Sequence, residues 1–119
     1  MPARDTLRLL NYTAGLLSRK WTLPIVRVLD ITTMRHSELS RRLPGIVTQK
    51  VLTETLREME RSGLVKRTVY PTVPPQVEYQ LTPIGIGLLK LSTTFTEWFE
   101  MHGDDIHRCQ RSYDRRGKL

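Results

Sequence analysis

Between His36 and Leu81 the hydrophobic period of the chain changes, and this change constrains the fold more than any other feature. The segment reads HSELSRRLPGIVTQKVLTETLREMERSGLVKRTVYPTVPPQVEYQL. Ser37 is a natural N-cap, Glu38 suits the positive end of a helix dipole, and Leu39 and Leu43 face inward on a short helix that Pro44-Gly45 stops. A second helix is expected from Thr48 to Ser62. Leu52, Leu56 and Met59 make its core face, and Gly63 stands where a left-handed terminal residue is wanted. The period then becomes two. Leu64–Tyr70 and Gln76–Leu81 are β-rich, and Val77, Tyr79 and Leu81 alternate with Gln76, Glu78 and Gln80. The intervening PTVPP stiffens the tip and removes backbone donors, which protects an exposed ribbon from pairing with other chains.

The flanks are helical. Asp5–Leu17 carries Leu7, Leu10, Leu16 and Leu17 near helical spacing, with Asp5 as a candidate cap and Gly15 and Ser18 at its end. A helix over Lys20–Asp30 buries Trp21, Ile25, Val28 and Leu29; Pro24 is tolerated only in a first turn, so the helix proper starts near Thr22. Thr32–Arg35 is a short β-prone stretch. Thr82-Pro83 opens the last helix, on which Leu88, Leu91, Phe95, Trp98 and His102 recur at steps of three and four, flanked by Leu89 and Phe99. A seam of this kind suits a partner helix; its alternative is packing on the chain's own core. Gly103 is expected to end this helix, and residues 103–119 to form a mobile basic tail.

The expected fold class is therefore mainly α with a small antiparallel β-ribbon. A single domain over residues 1–119 has its core at 36–81 and dimerisation helices at 5–17 and 83–102. Short helix, turn, second helix, ribbon is the plan of a winged helix-turn-helix, which sets its second helix into the DNA major groove. Lys and Arg outnumber Asp and Glu by 19 to 12 in 119 residues, a net +7, which favours a polyanion partner. One cysteine excludes an intrachain disulfide, and no stretch is apolar enough to span a membrane, so the expected setting is the cytoplasm.

On that plan the second helix presents Thr48, Gln49, Lys50, Thr53, Glu54 and Arg57 to double-stranded DNA. Gln pairs with adenine, Lys reaches guanine, Thr touches a thymine methyl or a phosphate, and Glu accepts from cytosine; Arg57, a turn further on, suits phosphate. Ser37, Arg41 and Arg42 on the first helix suit backbone anchoring, as do Lys66 and Arg67 on the ribbon, of which alternation lets only one point outward. The expected self-interface comprises Leu7, Leu10, Leu88, Leu91, Phe95, Trp98 and Phe99.

The strings RKWTLPIVRVL, RHSELSRRLPGI and QKVLTETLREMERSGLVKRTVYPTVPPQVEYQLTPIG resemble the HxlR-type transcriptional regulators over roughly Ser18 to Trp98. The Lys20-Trp21 pair, LREME, the VYPTVPPQVEY ribbon and LTPIG fall in order. The resemblance implies a homodimer whose terminal helices form the interface and whose two reading helices meet a near-palindromic site. Two departures stand out. The cysteine that many members carry before the Lys-Trp pair is missing from TLRLLNYTAG, and Ser18-Arg19 replaces Gly-Gly. A small-molecule effector, or none, then fits better than the family's thiol control.

Other chemistry is weak in the sequence. Cys109 lies beside Arg108 and Arg111 and reads as an incidental thiol. The spacing of His102, Asp104, Asp105, His107 and Cys109 matches no common zinc pattern, and Trp21 and Trp98 suit packing before a ligand pocket. No Ser-His-Asp order or phosphate loop occurs, and GIGLL from Gly85 lies inside a helix. The expectation is a non-enzyme without metal or cofactor. A winged-helix protein-interaction module and a non-specific nucleic-acid binder are the alternatives.

Overall fold

The computed structural model describes residues 3–117 and contains five helices and three strands among them. In chain order these are α1 (Ala3–Leu16), α2 (Thr22–Leu29), β1 (Met34–Arg35), α3 (His36–Arg42), α4 (Gln49–Arg61), β2 (Val65–Tyr70), β3 (Gln76–Leu81) and α5 (Pro83–Arg116). Two compact units result, divided between Leu89 and Lys90, where sequence reasoning expects one domain.

In the first unit, α2, α3 and α4 enclose one core with the sheet. Ile25, Val26, Leu29, Leu39 and Leu52 are fully buried, and Leu56 and Met59 nearly so. Each such aliphatic side chain contributes about 1.5–3 kcal/mol by leaving water. Pro24 stands in the first turn of α2, where its missing N–H costs nothing. α4 starts at Thr48, an extended N-cap whose hydroxyl accepts from the Val51 N–H at 3.1 Å. It ends at Arg61, and Gly63, just past the Ser62 C-cap, takes φ +74°, the left-handed conformation expected there.

Several expectations require correction. The N-cap of α3 is Arg35, not Ser37, which lies inside the helix; the Glu38 carboxylate accepts from the Arg35 N–H at 3.2 Å. The guanidinium of Arg35 has no acceptor to return, so only the Glu38 half of a capping box forms. Leu43 is buried but lies just past α3. Asp5 sits within the first turn of α1, which starts at Ala3. The ribbon is a three-stranded antiparallel sheet of order β1-β3-β2, because Met34 and Arg35 pair with Tyr79 and Glu78. The β2–β3 hairpin runs in register from Val65 opposite Leu81 to Tyr70 opposite Gln76.

The largest correction concerns the C-terminus. α5 does not stop at Gly103 but continues to Arg116. Gly103 is buried in the helix under the Phe99 ring, which would lie 2.8 Å from an added Cβ. A helical glycine costs only about 1 kcal/mol relative to alanine, and no proline follows to stop propagation. The Asp105–Arg108 pair at 3.1 Å, one turn apart, adds a little more. Residues 104–116, read from sequence as a mobile tail, are thus part of α5.

Candidate nucleic-acid interface

α4 buries Leu52, Thr55, Leu56 and Met59 and turns Gln49, Lys50, Arg57 and Arg61 to solvent. Thr53 and Glu54 are half-buried, each for a distinct reason. The Thr53 hydroxyl lies 3.1 Å from His36 Nε2 at the start of α3. Glu54 faces Arg19 at 3.9 Å in a partly exposed ion pair. Such a pair contributes little to stability, about 0–1 kcal/mol. It does offset one acidic side chain on a face that also carries Lys50, Arg57 and Arg61. Thr48, expected as a contact, uses a hydroxyl lone pair in capping and keeps its own proton for another acceptor.

Arg41 and Arg42 are both exposed in the last turn of α3, where the helix dipole favours cations. Neither guanidinium is in an ion pair among the described residues. Ser37 is exposed one turn earlier. On the hairpin both Lys66 and Arg67 are exposed, against the expectation of one. Lys66 stands opposite Gln80 and Arg67 opposite Tyr79, so the two occupy opposite faces. Beyond Val65 neither face of β2 is buried, and alternation ceases to separate inside from outside. Near the tip of the wing, Arg35 Nη2 donates to Gln76 Oε1 at 2.8 Å, tying the end of β1 to the start of β3.

Sequence reasoning missed His36, Arg19 and Arg35, whose partners lie 17, 35 and 41 residues away. No periodicity signals such pairs. Arg61 was legible: it follows Lys50, Glu54 and Arg57 at steps of four, three and four on the exposed face of α4.

The hydrophobic residues expected at a self-interface divide. Leu7 and Leu10 are exposed on α1, and Leu91, Phe95, Trp98 and Phe99 are exposed on the second unit's part of α5. Leu88 departs from the expectation; it is half-buried against the chain's own core, in the first turns of α5 that cover the sheet's end. Trp98 and His102 lie with ring centroids 5.3 Å apart on α5. Cys109 is an exposed free thiol. Among the described residues no three His, Cys, Asp or Glu side chains come together as a metal site, and no helix is long and apolar enough to cross a membrane.

Comparison with known proteins agrees with this architecture. The model of the HxlR-like helix-turn-helix family matches residues 16–107. An uncharacterised HTH-type transcriptional regulator of Methanothermobacter thermautotrophicus is 46% identical over 84 residues, 71% of this chain and 63% of that protein, so the chain spans less than two thirds of this relative's length. Another from Halalkalibacterium halodurans, BH0655, is 42% identical over 89 residues, 74% of this chain and 78% of the relative. Among solved structures, the redox regulator HypR in its reduced form superposes with a TM-score of 0.76 at 34% identity, over 83% of this chain and 97% of that one. A helix-turn-helix with its wing, an exposed polar face on the second helix, and these likenesses converge: the chain belongs to the HxlR-like helix-turn-helix family of transcriptional regulators.

Proposed function

We propose that the chain regulates transcription as a homodimer that binds a near-palindromic operator in double-stranded DNA. The observation that carries this reading is the exposure of cationic side chains on each of the three elements that approach a duplex in this architecture: Lys50 and Arg57 on α4, Arg41 and Arg42 on α3, and Lys66 and Arg67 on the wing. In this reading Gln49, Lys50 and Thr53 meet base edges. Thr48, Ser37, Arg41, Arg42, Arg57, Lys66 and Arg67 meet the backbone, and Glu54 reads cytosine only when Arg19 releases it. The half-sites lie roughly 34–36 Å apart, or a multiple of that. The regulator is a binding protein, not an enzyme, and needs no cofactor. Although HypR is named a redox regulator, the only thiol here is Cys109 on α5. A small-molecule effector, or none, fits this chain better than thiol control near α1.

Selection of bound duplexes from a random pool, with affinity read at two salt concentrations, tests the reading. A two-fold symmetric enriched motif is expected; uniform, strongly salt-dependent binding would reduce the chain to a non-specific coat. Within the selected site, Lys50→Ala should relax base preference by about 1–3 kcal/mol at one position. Arg41→Ala should instead weaken all sequences together and flatten the salt slope by about one. Equal losses on operator and random duplex for Lys50→Ala would remove it as a base reader.

The dimer rests on the exposed apolar faces of α1 and α5. Fully burying Phe95 and Trp98, now 44% and 57% exposed, is the kind of aromatic burial that dominates interface energetics. The double substitution Phe95→Ala with Trp98→Ala is expected to shift the sedimenting species from dimer to monomer at micromolar concentration. An unchanged mass would place the interface elsewhere.

A further inference from the structure

Three helical threonines bond back to their own helix, and Thr53 bonds elsewhere. Thr13, Thr55 and Thr96 each donate their hydroxyl to the carbonyl four residues back, on Leu9, Val51 and Ser92, at 2.9, 2.8 and 2.9 Å. Thr53 instead bonds across to α3, through His36 Nε2 at 3.1 Å. Threonine in a helix divides between two χ1 rotamers, one of which is selected by back-bonding to its own helix. A partner on another element selects by a different rule, and the choice also fixes where the γ-methyl goes. Both residues are half-buried, so water competes less for the bond than at an exposed site.

Resting on the DNA-binding reading above, we infer that His36 is a specificity-determining positioning residue: by holding the Thr53 hydroxyl against α3, it leaves the γ-methyl of Thr53 to read the C5-methyl of one thymine in each half-site. The imidazole takes one hydrogen-bonding position of the hydroxyl and holds its oxygen toward α3, which leaves the methyl to face the duplex. Thr53 stands on the reading helix one turn beyond Gln49 and three residues beyond Lys50, within the N-terminal half that meets base edges. Contact of a threonine methyl with thymine is a recognised mode of major-groove readout. His36 itself touches no base in this arrangement; it acts through Thr53, and its effect is confined to one base position.

The test uses the full chain and the operator selected from the random pool. Each thymine of a half-site is replaced in turn by deoxyuridine, which deletes only the C5-methyl, and binding is measured against a random duplex as reference. Wild type should lose about three- to tenfold at one thymine per half-site, the scale of a modest direct-readout contact. Thr53→Ser keeps the hydroxyl but removes the methyl and should abolish that sensitivity. His36→Ala should reduce the sensitivity to under twofold while leaving random-duplex affinity unchanged, and His36→Gln, whose amide can again bond the hydroxyl, should restore it. Sensitivity that survives His36→Ala, or fails to return with His36→Gln, would make His36 a packing residue and overturn the inference. An enriched operator whose thymines are all insensitive overturns this inference alone, whereas a pool with no enrichment overturns the regulator reading and this one with it.

Discussion

Gly85→Ala is expected to destabilise the protein by about 2–4 kcal/mol, lowering the melting temperature by roughly 10–20 °C. Gly85 lies in the first turn of α5, and its Cα hydrogen faces the start of β2. An added Cβ would stand 2.2 Å from the Leu64 carbonyl oxygen and 3.0 Å from Leu81 Cδ2. The first obstacle is backbone, so no rotamer change relieves it. The same carbonyl accepts from the Thr82 N–H at 3.1 Å, and the Thr82 hydroxyl accepts from the Gly85 N–H at 3.1 Å and donates to the Gly63 carbonyl. Displacing it therefore strains the cap that seats α5 on the sheet. Gly87, two residues on, has nothing within 4 Å of its would-be Cβ. Gly87→Ala should be neutral or stabilise by up to about 1 kcal/mol through helix propensity. Thermal unfolding of the two variants beside wild type decides the matter. Equal melting temperatures for Gly85→Ala and wild type would show that α5 can slide away from Leu64 without loss.

Leu52→Ala carries the second large effect, about 2–5 kcal/mol. Leu52 is fully buried in α4, where it packs with the core that α2, α3 and the sheet enclose. Truncation forfeits its transfer energy and leaves a void that rigid neighbours collapse into only partly. Because Leu52 anchors the face of α4 opposite Lys50 and Arg57, operator affinity should fall with stability, and more steeply near the midpoint of unfolding. Val51, its neighbour, is 38% exposed, and Val51→Ala should stay within about 0.5 kcal/mol of wild type. Chemical denaturation measures both; a Leu52→Ala midpoint equal to that of Val51→Ala would contradict the packing of α4 described above.

Much of the architecture was legible before any coordinates because its signals are local. Pro24 could only occupy a first turn, Gly63 needed a left-handed conformation, and Leu52, Leu56 and Met59 could share a face only on a helix. The alternation from Gln76 to Leu81 likewise demanded a strand with one buried side. Local signals misled at Gly103, where the cost of one glycine is small against the propagation of a long helix, and at Ser37, a good cap that lies two residues past the true N-cap because β1 runs directly into α3. They misled again at Lys66 and Arg67, since alternation separates inside from outside only where a core lies beneath the strand.

The sequence by itself determined the order of elements, the cationic balance and the polar face of the helix proposed to read DNA, because each follows from spacing and side-chain type within a few turns of chain. Tertiary structure alone decided how that face is tuned. It brings Arg19 to Glu54, His36 to Thr53 and Arg35 to Gln76, joins β1 to the wing, and draws Leu88 into the core. These are contacts between residues far apart in sequence, set by where packed elements cross and how each side chain is rotated on them, and no periodicity in a single segment encodes a distance to another.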